Sequence, residues 1–175
     1  MTLRVALVAV LSGAATMVAA QSPPVLECAI SAPATVNAGQ AVRLRFTVRN
    51  PGAAAVQVLT WGTPFEGWFA PYVKVWRDGT ELAYAGPSLK RGDPEREDYL
   101  RIAGGRARVA VVDLGLAFDL GPGGRYRVEP QLTVHDVFAA AAAAAPRPRD
   151  RHAAQTLRCP AVEFIVKAAA DAPRR

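Results

Sequence analysis

The chain has 175 residues, 51% of them hydrophobic, and a formal net charge of +6 at pH 7. That length is enough for one domain with a sizeable core. A nucleic-acid-binding surface gathers its basic residues on one face, with aromatic residues between them. Here Arg43, Arg45 and Arg49 alternate with apolar residues, which is typical of the solvent face of a strand. We therefore expect no nucleic-acid partner.

Residues 1–20 differ in composition from the rest of the chain. Arg4 is their one charged side chain, a short apolar run follows it, and small residues precede Gln21. This pattern is typical of a secretory signal peptide and is too short for a membrane span. We expect an exported protein without a membrane span, periplasmic or extracellular, whose mature chain begins at Gln21.

Residues 42–49 alternate strictly between apolar and polar side chains, which predicts a strand with one buried face. Shorter apolar runs of the same kind recur along the chain. They cover 26–30, 55–61, 72–76, 81–85, 99–102, 107–114, 126–134 and 159–166. Without a convincing long helix, this pattern predicts an all-β fold, an antiparallel immunoglobulin-like β-sandwich of about 7–9 strands.

Three local features refine this prediction. Asp78-Gly79 is a pair typical of a type I′ hairpin turn. Tyr126, which opens a strand after an Asp and several glycines, has the layout of a tyrosine corner. Residues 139–155 are rich first in Ala and then in Pro and Arg, so we expect a flexible or partly helical insertion there.

The two cysteines, Cys28 and Cys159, lie near opposite ends of the predicted domain. An even pair in an exported chain predicts a disulfide, here between the first and the last strand. The alternative is a reactive thiol. We expect residues 21–168 to form one domain and 169–175 to be a tail.

Catalytic constellations are scarce. The two histidines, His135 and His152, are not in a His-Glu-x-x-His pattern, and Ser88 is not in a Gly-x-Ser-x-Gly turn. We interpret His135-Asp136 as a loop pair beyond a strand end, and the acids of 93–98 as solvated. We therefore expect no enzyme, metal or cofactor; an enzymatic alternative would need a pocket with perturbed carboxylates.

Several motifs in the region 41–128 resemble a known family. They are Trp61-x-Thr63-Pro64-x-Glu66-Gly67, Arg77-Asp78-Gly79, Tyr84-x-Gly86-Pro87, Lys90-Arg91-Gly92-x-Pro94, Asp98-Tyr99, Val112-Asp113-Leu114 and Ala117-Phe118-Asp119-Leu120. In order and spacing they resemble the non-catalytic N-terminal β-sandwich of bacterial aspzincin (deuterolysin-like) metallopeptidases. In that family a zinc peptidase domain follows. The resemblance implies the sandwich without the enzyme; the 139–155 insertion and the cysteine pair depart from it.

The resemblance implies an exported binding or accessory module for a secreted peptidase, a cell-envelope protein or a glycan. The alternative is an inhibitor-like or chaperone-like domain that occludes a separate secreted peptidase. Loops 62–69 and 86–98 are the predicted recognition surface, because loops on a rigid sandwich commonly carry binding. Its candidate residues are Trp61, Thr63, Glu66, Trp68, Lys90, Arg91, Asp98 and Tyr99.

These residues also have a purely structural interpretation. Trp61 would then pack in the core or across strands. Lys90 and Arg91 would pair with Glu66 or Asp98 on a neighbouring loop.

Overall fold

A computed structural model describes residues 24–168. The predicted signal peptide and the predicted tail lie outside these residues. The described chain is built from short strands connected by turns and three single-turn 3-10 helices. The strands are β1 (Glu27–Ser31), β2 (Thr35–Asn37), β3 (Arg43–Arg49), β4 (Val56–Leu59), β5 (Val73–Arg77), β6 (Thr80–Glu81), β7 (Tyr99–Ile102), β8 (Ala107–Asp113), β9 (Gly124–Pro130), β10 (Leu132–Val134), β11 (Val137–Ala139), β12 (Gln155–Leu157) and β13 (Val162–Lys167).

Two sheets form the sandwich. One has the order β2-β13-β9-β5-β6 and the other the order β1-β3-β8. All pairings are antiparallel except that of β2 with β13. Their inward side chains belong to one core, which includes Phe46 of β3, Phe164 of β13 and Tyr126 of β9. The predicted class, an immunoglobulin-like all-β fold, is confirmed.

Two smaller sheets, β11-β4-β7 and β10-β12, explain why the described residues contain more strands than the predicted 7–9. The chain passes from one of these sheets to the other between β10 and β11. The corner between β10 and β11 consists of His135 and Asp136, and the Leu59 N–H donates to the Asp136 carbonyl at 2.9 Å. This corner positions the candidate site described below.

The local predictions for the two turns are confirmed. Asp78 and Gly79 both have positive φ, 49° and 85°, as a type I′ turn requires. The Tyr126 hydroxyl donates to the Pro122 carbonyl at 2.7 Å, which is the bond of a tyrosine corner.

The Cys28–Cys159 disulfide is also confirmed, and it spans 131 residues. Cys28 lies on β1, as predicted. Cys159 does not lie in the last strand: the predicted run 159–166 is interrupted, and Cys159 falls between β12 and β13. Pro160 follows it and has no N–H to donate to a ladder, which accounts for the break. A disulfide is typical of exported proteins.

One further prediction needs correction. The strand expected over 81–85 is the two-residue β6, which continues only as an irregular segment. The segment 139–155 contains the end of β11, turns and the 3-10 helix Arg149–Arg151, with no α-helix in the described chain. No helix among residues 24–168 is long and apolar enough to cross a membrane.

Candidate functional site

A pocket of about 410 Å³ opens where three loop segments meet. The segments are the loop that follows β4, the polar loop 86–98 and the insertion 139–155. Its apolar lining comes from Leu59, Trp61, Phe69, Ala70 and Leu89. Its polar lining comes from Glu66, Arg91, His135, Arg149 and His152.

The loop after β4 holds its shape through its own hydrogen bonds. The Thr63 hydroxyl donates to the Thr60 carbonyl at 2.6 Å, and the Gly62 N–H donates to Glu66 Oε2 at 2.7 Å. Gly62 has a φ of +64°, where a side chain would be strained. The turn thereby sets Trp61 and Glu66 side by side on the pocket wall.

Trp61 supports two guanidinium groups. Its side chain is 9% exposed. The guanidinium carbon of Arg91 lies 5.5 Å from the ring centroid, and that of Arg149 lies 5.8 Å from it. Both distances are within the range of cation–π attraction.

The two arginines differ in their acidic partners. Arg91 pairs with Glu66, whose side chain is only 11% exposed. Arg149, with a side chain 49% exposed, lies 3.3 Å from the carboxylate of Asp93, which is 92% exposed. Arg149 also donates to the Arg91 carbonyl at 2.8 Å, which joins the insertion to the polar loop.

A buried carboxylate lies behind the pocket. Asp136 is fully buried and accepts hydrogen bonds from Arg147 Nε at 3.1 Å, the Tyr99 hydroxyl at 3.0 Å and the Ala153 N–H at 2.9 Å. Burial by itself would raise the pKa of Asp136, but the bonds from Arg147, Ala153 and Tyr99 outweigh it and lower that pKa. The carboxylate therefore stays ionised and holds the insertion to the β10–β11 corner.

Tyr99 and His152 complete this cluster. Burial and the bond to Asp136 raise the pKa of Tyr99 to about 12. His152 Nε2 lies 3.1 Å from the Arg147 carbonyl and 4.0 Å from Asp136 Oδ2. His152 thus contacts the buried cluster and also lines the pocket.

The structure brings together three of the residues that the sequence analysis proposed for the binding surface, Trp61, Glu66 and Arg91. Lys90 lies beside them in the chain and is exposed. Arg91 pairs with Glu66, as the structural interpretation anticipated.

The other proposed surface residues have internal contacts. Thr63 is fully buried in its turn. Trp68 belongs to the core, where its ring stacks on Tyr72 with centroids 4.5 Å apart. Asp98 accepts from the Glu95 N–H at 2.8 Å and caps a turn, while Tyr99 bonds the buried carboxylate.

The pocket residues outside the proposed loops and candidate residues are Leu59, Ala70, His135, Arg149 and His152. Asp136 and Arg147 support them from behind. The weak signal available was His135-Asp136 at a strand end, followed by an arginine-rich segment. The composition of that segment predicts a flexible or partly helical insertion, and no local pattern places it against Trp61.

The pocket lining combines cationic, histidine and apolar side chains. Within residues 24–168 no group of three or more His, Cys, Asp or Glu side chains could hold a metal ion. The pocket instead offers a guanidinium at its mouth and apolar walls. It can receive an anionic group and bury an apolar one.

Fold and site together define an immunoglobulin-like β-sandwich, closed by a disulfide, with an aromatic and cationic pocket built on loops. No protein-family profile matches the chain. Over 87 residues it is 30% identical to an extracellular protease of Aeromonas hydrophila, covering 50% of this chain and 25% of that protein. The chain thus spans a quarter of the length of this relative.

Among solved structures, the chain is similar to a CARDB domain from Pyrococcus furiosus, crystallised in complex with di-metal ions. The superposition covers 86% of this chain and 99% of that one, with 12% identity and a TM-score of 0.38.

Proposed function

We propose that this protein is an exported, non-catalytic binding module that acts beside a secreted peptidase. The observation that carries the proposal is the pocket, in which loops from three parts of the chain converge on Trp61. The disulfide supports export. The 30% identity to part of an extracellular protease supports an association with such enzymes.

The internal bonds of the acidic groups support a role in binding rather than catalysis. Asp136 is fully buried and bonded on both carboxylate oxygens, so it is not available as a base. Glu66 bonds Arg91 and the backbone of Gly62. A general base must reach a proton on the substrate. Asp136 does not line the pocket, and both Glu66 oxygens are already bonded, to Arg91 and to the Gly62 N–H.

The size of the pocket supports a polypeptide partner. A volume of about 410 Å³ is at the small end of ligand cavities and fits one anchoring side chain. Phe69 and Leu89 are partly exposed at the rim, where the rest of a larger partner would lie. We therefore propose a secreted peptidase or its polypeptide substrate as the partner.

Affinity capture tests the proposal. The mature chain, immobilised, should retain a peptidase or its substrate from the exported fraction of the source cells, and Leu89→Asp should abolish retention. Val109→Asp is the matched control, because Val109 is exposed on β8 and does not line the pocket. Equal capture by both variants would reject the pocket as the binding site.

An activity assay tests the non-catalytic part separately. Purified mature protein should leave casein intact. Chelator-sensitive proteolysis that persists through purification would overturn this part of the proposal and leave the binding result untouched.

A further inference from the structure

We infer that the pocket recognises a carboxylate beside an apolar side chain in an acidic polypeptide segment, and that Arg149 receives the carboxylate. This inference rests on the proposed function and names the chemistry of its ligand. It concerns the pocket mouth, where Arg149, Asp93, Phe69 and Leu89 lie.

Trp61 offers no free ring face for stacking on a ligand. A tryptophan that stacks on a sugar ring needs a free face. Here the indole is 9% exposed and supports the guanidinium groups of Arg91 and Arg149. The groups offered to a ligand are therefore cations positioned by an aromatic ring. Charge complementarity then favours an anion.

Arg91 and Arg149 differ in how strongly their acidic partners hold them. Arg91 is committed to Glu66, which is nearly buried and also accepts from Gly62. Within residues 24–168, the acidic partner of Arg149 is the exposed Asp93. An ion pair this exposed is weak, because water and salt screen it. A ligand carboxylate that is better desolvated can therefore replace Asp93 on Arg149.

Arg149 is already held in position by contacts of its own segment. Its guanidinium donates to the Arg91 carbonyl at 2.8 Å. Two residues earlier, Arg147 is bonded to the buried Asp136 and holds the segment in place. Binding to a positioned side chain costs less conformational entropy than binding to a mobile one.

The rim of the pocket predicts that the ligand has an apolar side chain beside its carboxylate. The Leu89 N–H donates to the Phe69 carbonyl at 3.2 Å, which brings these two side chains to the same edge of the pocket. Both are partly exposed. An apolar ligand side chain would cover them while its neighbouring carboxylate reaches Arg149. A guanidinium also suits a planar carboxylate, which it can bind with two parallel bonds.

The direct test is an NMR titration of the mature protein in which the indole N–H signals are monitored. The probe is the peptide acetyl-Gly-Leu-Glu-Gly-amide. Trp61 should shift in a saturable way, while Trp68 in the core and Trp76 on β5 stay in place; Trp61→Phe assigns the signal. A peptide with Gln for Glu, and one with Ala for Leu, should each bind at least about tenfold more weakly.

The source of the carboxylate needs separate arms. Acetyl-Gly-Gly-Leu with a free C-terminus presents the same chemistry from a chain end. Binding of either peptide supports the inference, and their order tells which source the site prefers. Equal binding of the Gln peptide, or binding of inorganic phosphate in place of every peptide, overturns it.

Three variants test the residues. Arg149→Gln should weaken binding of the Glu peptide about tenfold, and Arg151→Gln, which removes the same charge at an exposed position outside the pocket lining, should leave it unchanged. Asp93→Asn should strengthen binding, because it removes the competing carboxylate. A loss of binding in Asp93→Asn, or equal effects at Arg149 and Arg151, contradicts the inference.

Failure of this inference differs from failure of the proposed function. If Leu89→Asp abolishes partner capture but Arg149→Gln keeps it, the binding module stands and the carboxylate anchor is wrong. If no pocket variant changes capture, the proposed function itself fails.

Discussion

Asp136 and Arg147 form a buried ion pair that joins the β10–β11 corner to the insertion 139–155. Asp136 is fully buried and Arg147 largely so, and the Arg147 guanidinium also lies 4.1 Å from the Phe138 ring centroid. Removing one partner of such a pair leaves an uncompensated charge and costs roughly 3–5 kcal/mol. This pair therefore holds in place the insertion 139–155, which contributes Arg149 and His152 to the pocket lining.

Arg147→Gln should therefore lower the free energy of unfolding by about that amount, roughly 3–5 kcal/mol. Arg151→Gln, a few residues along the same segment and exposed, should change it by less than about 0.5 kcal/mol. Urea denaturation of both variants measures the difference. Equal midpoints would show that the pair does not stabilise the fold.

The Asp136–Arg147 pair should also make the free energy of unfolding depend on pH. The pKa of Asp136 is lowered in the folded protein, so its contribution is complete above the unfolded-state pKa of about 4. It is lost as the pH falls through the folded-state value. Asp136→Asn removes this component. Its urea midpoint should change less than that of the wild type between about pH 6 and about pH 3, and an identical change would contradict the assignment.

Trp68 should act as a core residue, although the sequence analysis proposes it for the binding surface as part of loop 62–69. Its ring stacks on Tyr72, and its indole N–H donates to the Asp113 carbonyl at 2.7 Å. Trp68→Ala should cost about 3–5 kcal/mol in thermal or urea unfolding. Trp68→Phe keeps most of the packing and should leave partner capture intact. Lost capture in a stably folded Trp68→Phe would return this residue to the binding surface.

Lys90 and Arg91 should respond differently to charge reversal. Lys90 is exposed, so Lys90→Glu should change stability by less than about 0.5 kcal/mol. Arg91→Glu places a second carboxylate beside Glu66 and removes a cation from the Trp61 ring. It should lower the melting temperature. Scanning calorimetry of the two single variants compares them, and equal melting temperatures would mean that the Arg91–Glu66 pair is dispensable.

The Cys28–Cys159 bridge should stabilise through the unfolded state. It closes a loop spanning 131 residues, for which the chain-entropy model gives at most about 5 kcal/mol. The double variant Cys28→Ser and Cys159→Ser should unfold at lower urea concentration. Thiol titration of the denatured wild type before and after reduction checks the bridge itself. Two free thiols before reduction would refute it.

The strands were predictable because their patterns are local. Alternation over 42–49 specifies β3, since successive side chains of a strand point to opposite faces. Asp78-Gly79 and the Tyr126 corner were predictable for the same reason: each depends on residues within a few positions of one another. The disulfide was predictable from the cysteine count in an exported chain.

The candidate site was predictable only in part. Trp61 and Glu66 lie in one turn, and their motif singled them out. Arg149 is 88 positions after Trp61 in the chain and shares no motif with it. The sequence does not distinguish Trp68 from Trp61, yet the Trp68 ring belongs to the core and the Trp61 ring to the pocket wall. Only the packing distinguishes them.

The sequence by itself determined the all-β class, its hairpin and corner turns, and the disulfide, because each follows from side-chain alternation, backbone preference or covalent pairing. The tertiary structure decided which charges lie together. It buried Asp136 against Arg147, paired Arg91 with Glu66 and left Arg149 half-exposed above Trp61. The physical reason is that the strength of an ion pair depends on burial and distance. Both are set by contacts between segments far apart in the chain.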